Sequence, residues 1–368
     1  MTARGGTAIA DDDPMLPVIA TSAQGPYDPS FRIRLALPGR ALTRHGVTMQ
    51  ELPLFSAEQV PRFRHAASVG KVAILARARR RLQRELRELD GEVRTIIVQS
   101  RVDLAPSLAL ERMATDSRRL IYDVDDAVWL SGRQTAGHSL SFLKGAARKV
   151  RWLVERADHV IAGSEILAEH LGQHGDAITV VPSLVDPATY VVREHEQSSI
   201  ITLGWIGSPT TARYLNHLTP VLERFAEQST RPVRLVVVGG AAPYLHRVEV
   251  HERRWSPEAE RQALAEMDIG LMPLQDTPWS RGKCAYKALQ YMACGIPPLV
   301  SNVGVSAAVV GDSGYAAGSD AQWLEGLYAL AQDRDLRARL GAVGRRRIEQ
   351  DFSYDRWIPV IAQILKGT

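Results

Sequence analysis

The sequence predicts two α/β domains in tandem, each a parallel sheet doubly wound with helices. Three observations carry this. Short apolar, β-branched runs alternate with longer amphipathic stretches, the pattern of βαβ units. The alternation stops over residues 186–199, a polar stretch with no apolar period, and restarts at Ile200. The length of 368 residues, 45% of them hydrophobic, suits two domains with full cores better than one.

The strand-like runs of the first half are Leu16–Thr21, Val47–Leu52, Arg94–Gln99, Arg118–Asp123, His159–Ala162 and Ala177–Val181. Helical periods cover 68–89, 139–156 and 164–174 between them. After the break, strands are expected at 200–206, 233–239, 248–253, 268–272 and 297–301. Helices are expected at 211–228, 257–266, 283–293, 320–333, 335–349 and 354–366. The domains then run 16–185 and 200–352, with a linker at 186–199 and a terminal helix at 353–368. Residues 1–15 are small, polar and acidic and read as a disordered leader.

That leader lacks the basic-then-apolar order of a signal peptide. No stretch reaches the ~18 apolar residues of a membrane span. The two cysteines, Cys284 and Cys294, lie nearly three turns apart on the helix expected there, too far to bridge. The expected location is therefore the cytoplasm. Net charge is +4, and only six of the 45 basic residues are Lys. The densest basic run, Arg77 to Arg87, alternates with Glu85 and Glu88 and reads as a solvated, salt-bridged helix face. No nucleic-acid motif or aromatic interleaving accompanies it, so membrane contact is peripheral at most and no nucleic-acid partner is expected.

The densest chemistry lies in 268–301, which reads as strand, loop, helix, Gly turn, strand. The loop brings Arg281, Gly282 and Lys283 to a helix N-terminus, where free N–H groups and the helix dipole favour an anion. Lys283 and Lys287, four apart, share one helix face. Cations are disfavoured at that end of a helix, and a bound diphosphate resolves the conflict. A second anion-binding turn is expected at Gly207-Ser208-Pro209-Thr210-Thr211, where a strand ends in Gly and Ser208 or Thr210 can cap the next helix.

Here the chain resembles the family 4 retaining glycosyltransferases of the GT-B fold. The resemblance rests on Asp268-Ile269-Gly270-Leu271-Met272-Pro273-Leu274, on Gly282-Lys283 with Lys287, and on Gln290-Tyr291-Met292-Ala293-Cys294-Gly295-Ile296-Pro297. It covers most of 200–352 and, weakly, 16–190. It implies two Rossmann-like domains facing across a cleft, the C-terminal one holding a GDP- or UDP-sugar. Many members carry a Glu pair where this chain has Gly282 and Gln290. Gln290 can still hydrogen-bond a ribose hydroxyl.

The resemblance also sets expectations for the first half. Ser30-Phe31-Arg32-Ile33-Arg34 resembles the family's loop before its first helix, with Arg32 or Arg34 on the acceptor side. Tyr122-Asp123-Val124-Asp125-Asp126 ends a strand near the reaction centre; Asp125 would orient the sugar or acceptor, and Asp126 would act as a base. The bland reading is a capping and turn cluster. His138 and Glu165 complete the acceptor-side candidates. The activity the resemblance implies is metal-independent, retaining transfer to a small-molecule or lipid-linked acceptor, with natural-product biosynthesis as one setting. The alternatives are a nucleotide-sugar epimerase or hydrolase of the same fold and a non-catalytic nucleotide-sugar-binding protein.

Overall fold

The computed structural model describes residues 15–130 and 145–368. The leader expected at 1–15 thus lies outside the described residues except for Met15. The described residues form two compact units, one running to Ser183 and including Tyr354–Thr368, the other Leu184–Ser353.

The first unit is built on six strands: β1 (Leu16–Thr21), β2 (Val47–Glu51), β3 (Thr95–Gln99), β4 (Arg119–Val124), β5 (His159–Ala162) and β6 (Ile178–Val180). They pair in the order β2-β1-β3-β4-β5-β6, every pair parallel. The order reverses between β1 and β3, where doubly wound sheets open a ligand crevice at the strands' carboxyl ends. The final helix, Tyr354–Lys366, packs in this unit through Ile358, Ile361 and Leu365. Arg119 on β4 donates from Nη1 to the Ile364 carbonyl at 2.6 Å.

The second unit also has six strands: β7 (Ile201–Ile206), β8 (Val233–Val238), β9 (Val248–Arg253), β10 (Ile269–Met272), β11 (Pro298–Ser301) and β12 (Tyr315–Ala317). Their order, β12-β11-β10-β7-β8-β9, is the 3-2-1-4-5-6 arrangement of dinucleotide-binding sheets read from the other edge. Its reversal lies between β7 and β10. All six residues of β7 are buried, as expected of a central strand covered by helices on both faces.

Three sequence expectations are corrected. The helix expected at 211–228 is a short helix Pro209–Ala212, a 3₁₀ stretch Arg213–Leu218 and a helix Thr219–Gln228. Pro220 explains the break, since it donates no N–H to the preceding turn. β12 escaped notice because three residues are too short to show a period. The helix expected at 283–293 starts only at Tyr286.

Buried charge in the first unit was not anticipated. Lys149, fully buried, donates from Nζ to Glu111 at 2.6 Å and to the Asp103 carbonyl at 3.1 Å. Burial lowers the Lys149 pKa and raises that of Glu111. This pair pins the helix Ala146–Arg156 to the helix Ala109–Thr115.

Candidate functional site

At the second unit's reversal point, β7 ends in Gly207 and Ser208. The Ser208 N–H donates to Thr211 Oγ1 at 3.3 Å, and the Ser208 and Thr210 hydroxyls lie 2.9 Å apart. Ser208 is thus the residue that precedes and caps the short helix. Gly207 is required by close approach: a Cβ there would lie 2.6 Å from the Trp205 ring and 2.8 Å from Lys287 Cε. The β7 turn and Lys287 therefore meet directly.

Downstream of β10, Thr277 caps a single helical turn, Pro278–Arg281, accepting from Ser280 N at 3.1 Å. Gly282 closes that turn and is buried. Ala285 then takes a left-handed conformation, φ +54°, immediately before the helix Tyr286–Ala293. Lys283 consequently lies outside this helix, and the shared-face expectation for Lys283 and Lys287 is corrected. Each ammonium instead sits over its own indole, Lys283 Nζ 5.5 Å from the Trp279 centroid and Lys287 Nζ 5.5 Å from that of Trp205. Arg281 is exposed and pairs with Asp276 through Nε–Oδ1 at 2.6 Å and Nη2–Oδ2 at 2.9 Å. That partner holds the Asp276 carboxyl below its ordinary range.

Gln290 is buried, and its amide nitrogen donates to Glu260 Oε1 at 2.7 Å. Trp255 Nε1 donates to Glu260 Oε2 at 2.8 Å. A carboxylate the sequence reading passed over is thus fixed beside Gln290. Glu260 reads in sequence as an ordinary acid in a helix's first turn. No local signal links it to a residue thirty positions away. Cys294 is buried, its thiol pushed up to about 12 by burial, as suits a packing residue.

In the first unit Arg34 is a buried clamp. Its Nη2 donates to Asp123 Oδ1 at 2.6 Å, and its Nη1 donates to the Val181 and Pro182 carbonyls at 2.7 Å each. It joins the ends of β4 and β6. Burial raises the Asp123 pKa against the opposing pull of Arg34. Arg32 is half-buried. Asp125 and Asp126 follow β4 and are half-buried; Gln99 at the end of β3 donates to Asp125 Oδ1 at 3.0 Å. Asp28, which follows β1, feels both carboxylates; burial first, and then their charge, raise its pKa to about 6. Glu165 is exposed in the first turn of a helix capped by Ser164. His138 lies outside the described residues. Among the described residues no three His, Cys, Asp or Glu side chains are grouped to hold a metal ion. No described helix is long and apolar enough to cross a membrane.

Residues 198–333 match the family model described as Glycosyl transferases group 1. Sucrose-phosphate synthase from Thermosynechococcus elongatus superposes with a TM-score of 0.73 at 14% identity, over 96% of this chain and 98% of that one. The fold is GT-B. HepE of Anabaena, in complex with UDP and glucose, superposes with a TM-score of 0.62 at 15% identity, over 95% and 99% of the two chains. A UDP-forming trehalose-phosphate synthase from Burkholderia xenovorans gives 0.65 at 12% identity, over 96% and 99%. No curated protein matches the sequence.

Within this GT-B chain, the family match falls on the unit that brings together Gly207, Ser208, Trp205 and Lys287. Arg281, by contrast, is turned to Asp276 and Gln290 to Glu260.

Proposed function

We propose that the chain transfers a sugar from a nucleoside diphosphate sugar, GDP- or UDP-linked, to a small-molecule or cell-envelope acceptor. The observation that carries this is the approach of Lys287 to the Gly207 turn at the reversal point of the family-matched unit. As the bond from the sugar's anomeric carbon to the phosphate oxygen breaks, negative charge grows on the departing diphosphate. The ammonium groups of Lys283 and Lys287, with the first N–H groups of the helix Tyr286–Ala293, offset that charge. The Ser208 and Thr210 hydroxyls and the Gly207 turn supply further donors. Gln290, backed by Glu260, would meet the ribose hydroxyls. This proposal includes retention of configuration, independence from metal, and Asp126 as acceptor of the incoming hydroxyl's proton, with Asp125 orienting a sugar or acceptor hydroxyl.

The test is release of nucleoside diphosphate from a panel of uridine and guanosine diphosphate sugars, with and without EDTA and with acceptor candidates. Acceptor-dependent release that survives EDTA is expected, and NMR of the product should show a retained anomeric centre. Lys287→Ala should lower turnover about 100-fold while leaving the melting temperature nearly unchanged. Unaltered turnover in that variant would remove Lys287 from the mechanism.

A further inference from the structure

The first unit carries a pocket that none of the assignments above uses. Its volume is about 310 Å³, at the small end of ligand sites. Gln24 lies beyond the end of β1, Phe55 beyond β2 and Leu104 beyond β3. The pocket therefore sits at the carboxyl ends of the strands flanking the β1/β3 reversal, where a doubly wound sheet binds its ligand.

Its lining has two characters. Part of it is apolar: Phe55 and Phe63 lie with ring centroids 4.6 Å apart, tilted by 35°, and Val60 and Leu104 also line the pocket. The rest of the lining includes Arg64 and Lys71. Arg64 donates from Nη2 to Gln24 Oε1 at 3.2 Å. Among the described residues no carboxylate lies within ion-pair distance of either cation. Arg64 does feel the Asp28 charge at longer range, so Lys71 is the more telling of the two. Two cations in a lining that is otherwise largely apolar fit an anion with a hydrocarbon body: the apolar part leaves water, and the cations offset the charge.

We propose that this pocket binds an amphipathic anion, a phosphate or carboxylate on an aliphatic or aromatic body, and that the acceptor belongs to this chemical class. The acceptor clause rests on the transferase reading; the binding clause does not. The helix that supplies Lys71 also exposes Val69 and Val72, at 83% and 69%, so a bilayer surface is the rival to be separated.

Calorimetric titration of the full chain with octyl phosphate, below its micelle concentration, tests this against 1-octanol and inorganic phosphate. Octyl phosphate should bind at least tenfold more tightly than either half alone. Lys71→Gln and Arg64→Gln should each weaken it several-fold, about the loss of one charge-assisted contact. Phe63→Ala should weaken octyl phosphate while leaving inorganic phosphate unchanged. Melting temperatures near that of the parent would show that these variants fold. Equal binding of 1-octanol, or indifference to both cation substitutions, overturns the proposal. So does binding to phosphatidylglycerol vesicles without binding to monomeric octyl phosphate. Titration with uridine and guanosine diphosphates in parallel keeps the two readings apart. Octyl phosphate binding without diphosphate binding would sink the transferase reading and the acceptor clause with it, leaving the binding clause standing; the reverse would sink only the pocket proposal.

Discussion

Ala285 holds φ at +54° between two lysines, although a Cβ makes that region costly by about 1–2 kcal/mol. Such strain persists where the surroundings fix it, often at functional sites. Ala285→Gly should therefore raise the melting temperature slightly and weaken nucleoside diphosphate binding, because the turn that aims Lys283 and Lys287 becomes free to move. A thermal melt and a titration on one sample check both parts. Asp28 gives a second prediction. Its folded pKa is raised, from 3.8 to about 6, so its contribution to stability is complete below pH 3.8 and is lost as pH rises through about 6. Asp28→Asn keeps an oxygen for the Ser30 N–H and removes the charge. It should match the parent near pH 4 and exceed it at pH 8 by on the order of 1 kcal/mol, allowing for solvent screening. Urea melts at the two pH values would show it. At this scale the sequence singled out Lys283, Lys287 and Ser208 by residue type and spacing. It could not display that Glu260 and Trp255 secure Gln290, nor that Arg34 is spent on Asp123.

At the scale of elements, the strands were legible because parallel strands covered on both faces read as unbroken apolar runs. Helix starts were not, because they turn on single residues: Pro220 splits one helix, and the left-handed Ala285 delays another. Two strand glycines admit the layer above them. A Cβ on Gly270 would lie 2.3 Å from the Tyr291 ring, and one on Gly204 would lie 2.1 Å from Met267 Sδ. Tyr291 uses that closeness to donate to the Leu271 carbonyl at 3.1 Å and to accept from Ile206 N at 3.3 Å. Gly270→Ala should then cost about 1–3 kcal/mol by overpacking, measured by urea unfolding. A neutral result would mean that the helix Tyr286–Ala293 can slide off β10 freely.

For the whole molecule, each sheet's strand order has one reversal point, and the proposed donor site and the pocket of the first unit lie at these two points. The motif at 268–301 was readable because its parts are contiguous in sequence. The pocket of the first unit was not, since its walls come from the ends of three strands and two helices. The last helix is packed in the first unit, so deleting Tyr354–Thr368 should lower hydrogen-exchange protection in β1–β4 and leave β7 and β8 protected. Equal loss in both units would contradict that division.

We propose a nucleoside diphosphate site where the strand order reverses between β7 and β10, with Lys287 beside the Gly207 turn. The most direct test is a thermal shift of the full chain with uridine and guanosine diphosphates, repeated on Lys287→Ala. A ligand at about a hundred times its Kd adds roughly 2.7 kcal/mol, which is several degrees. Such a shift is expected with one of the two nucleotides, unchanged by EDTA and largely lost in the variant. No shift with either nucleotide, or an equal shift in Lys287→Ala, would contradict it.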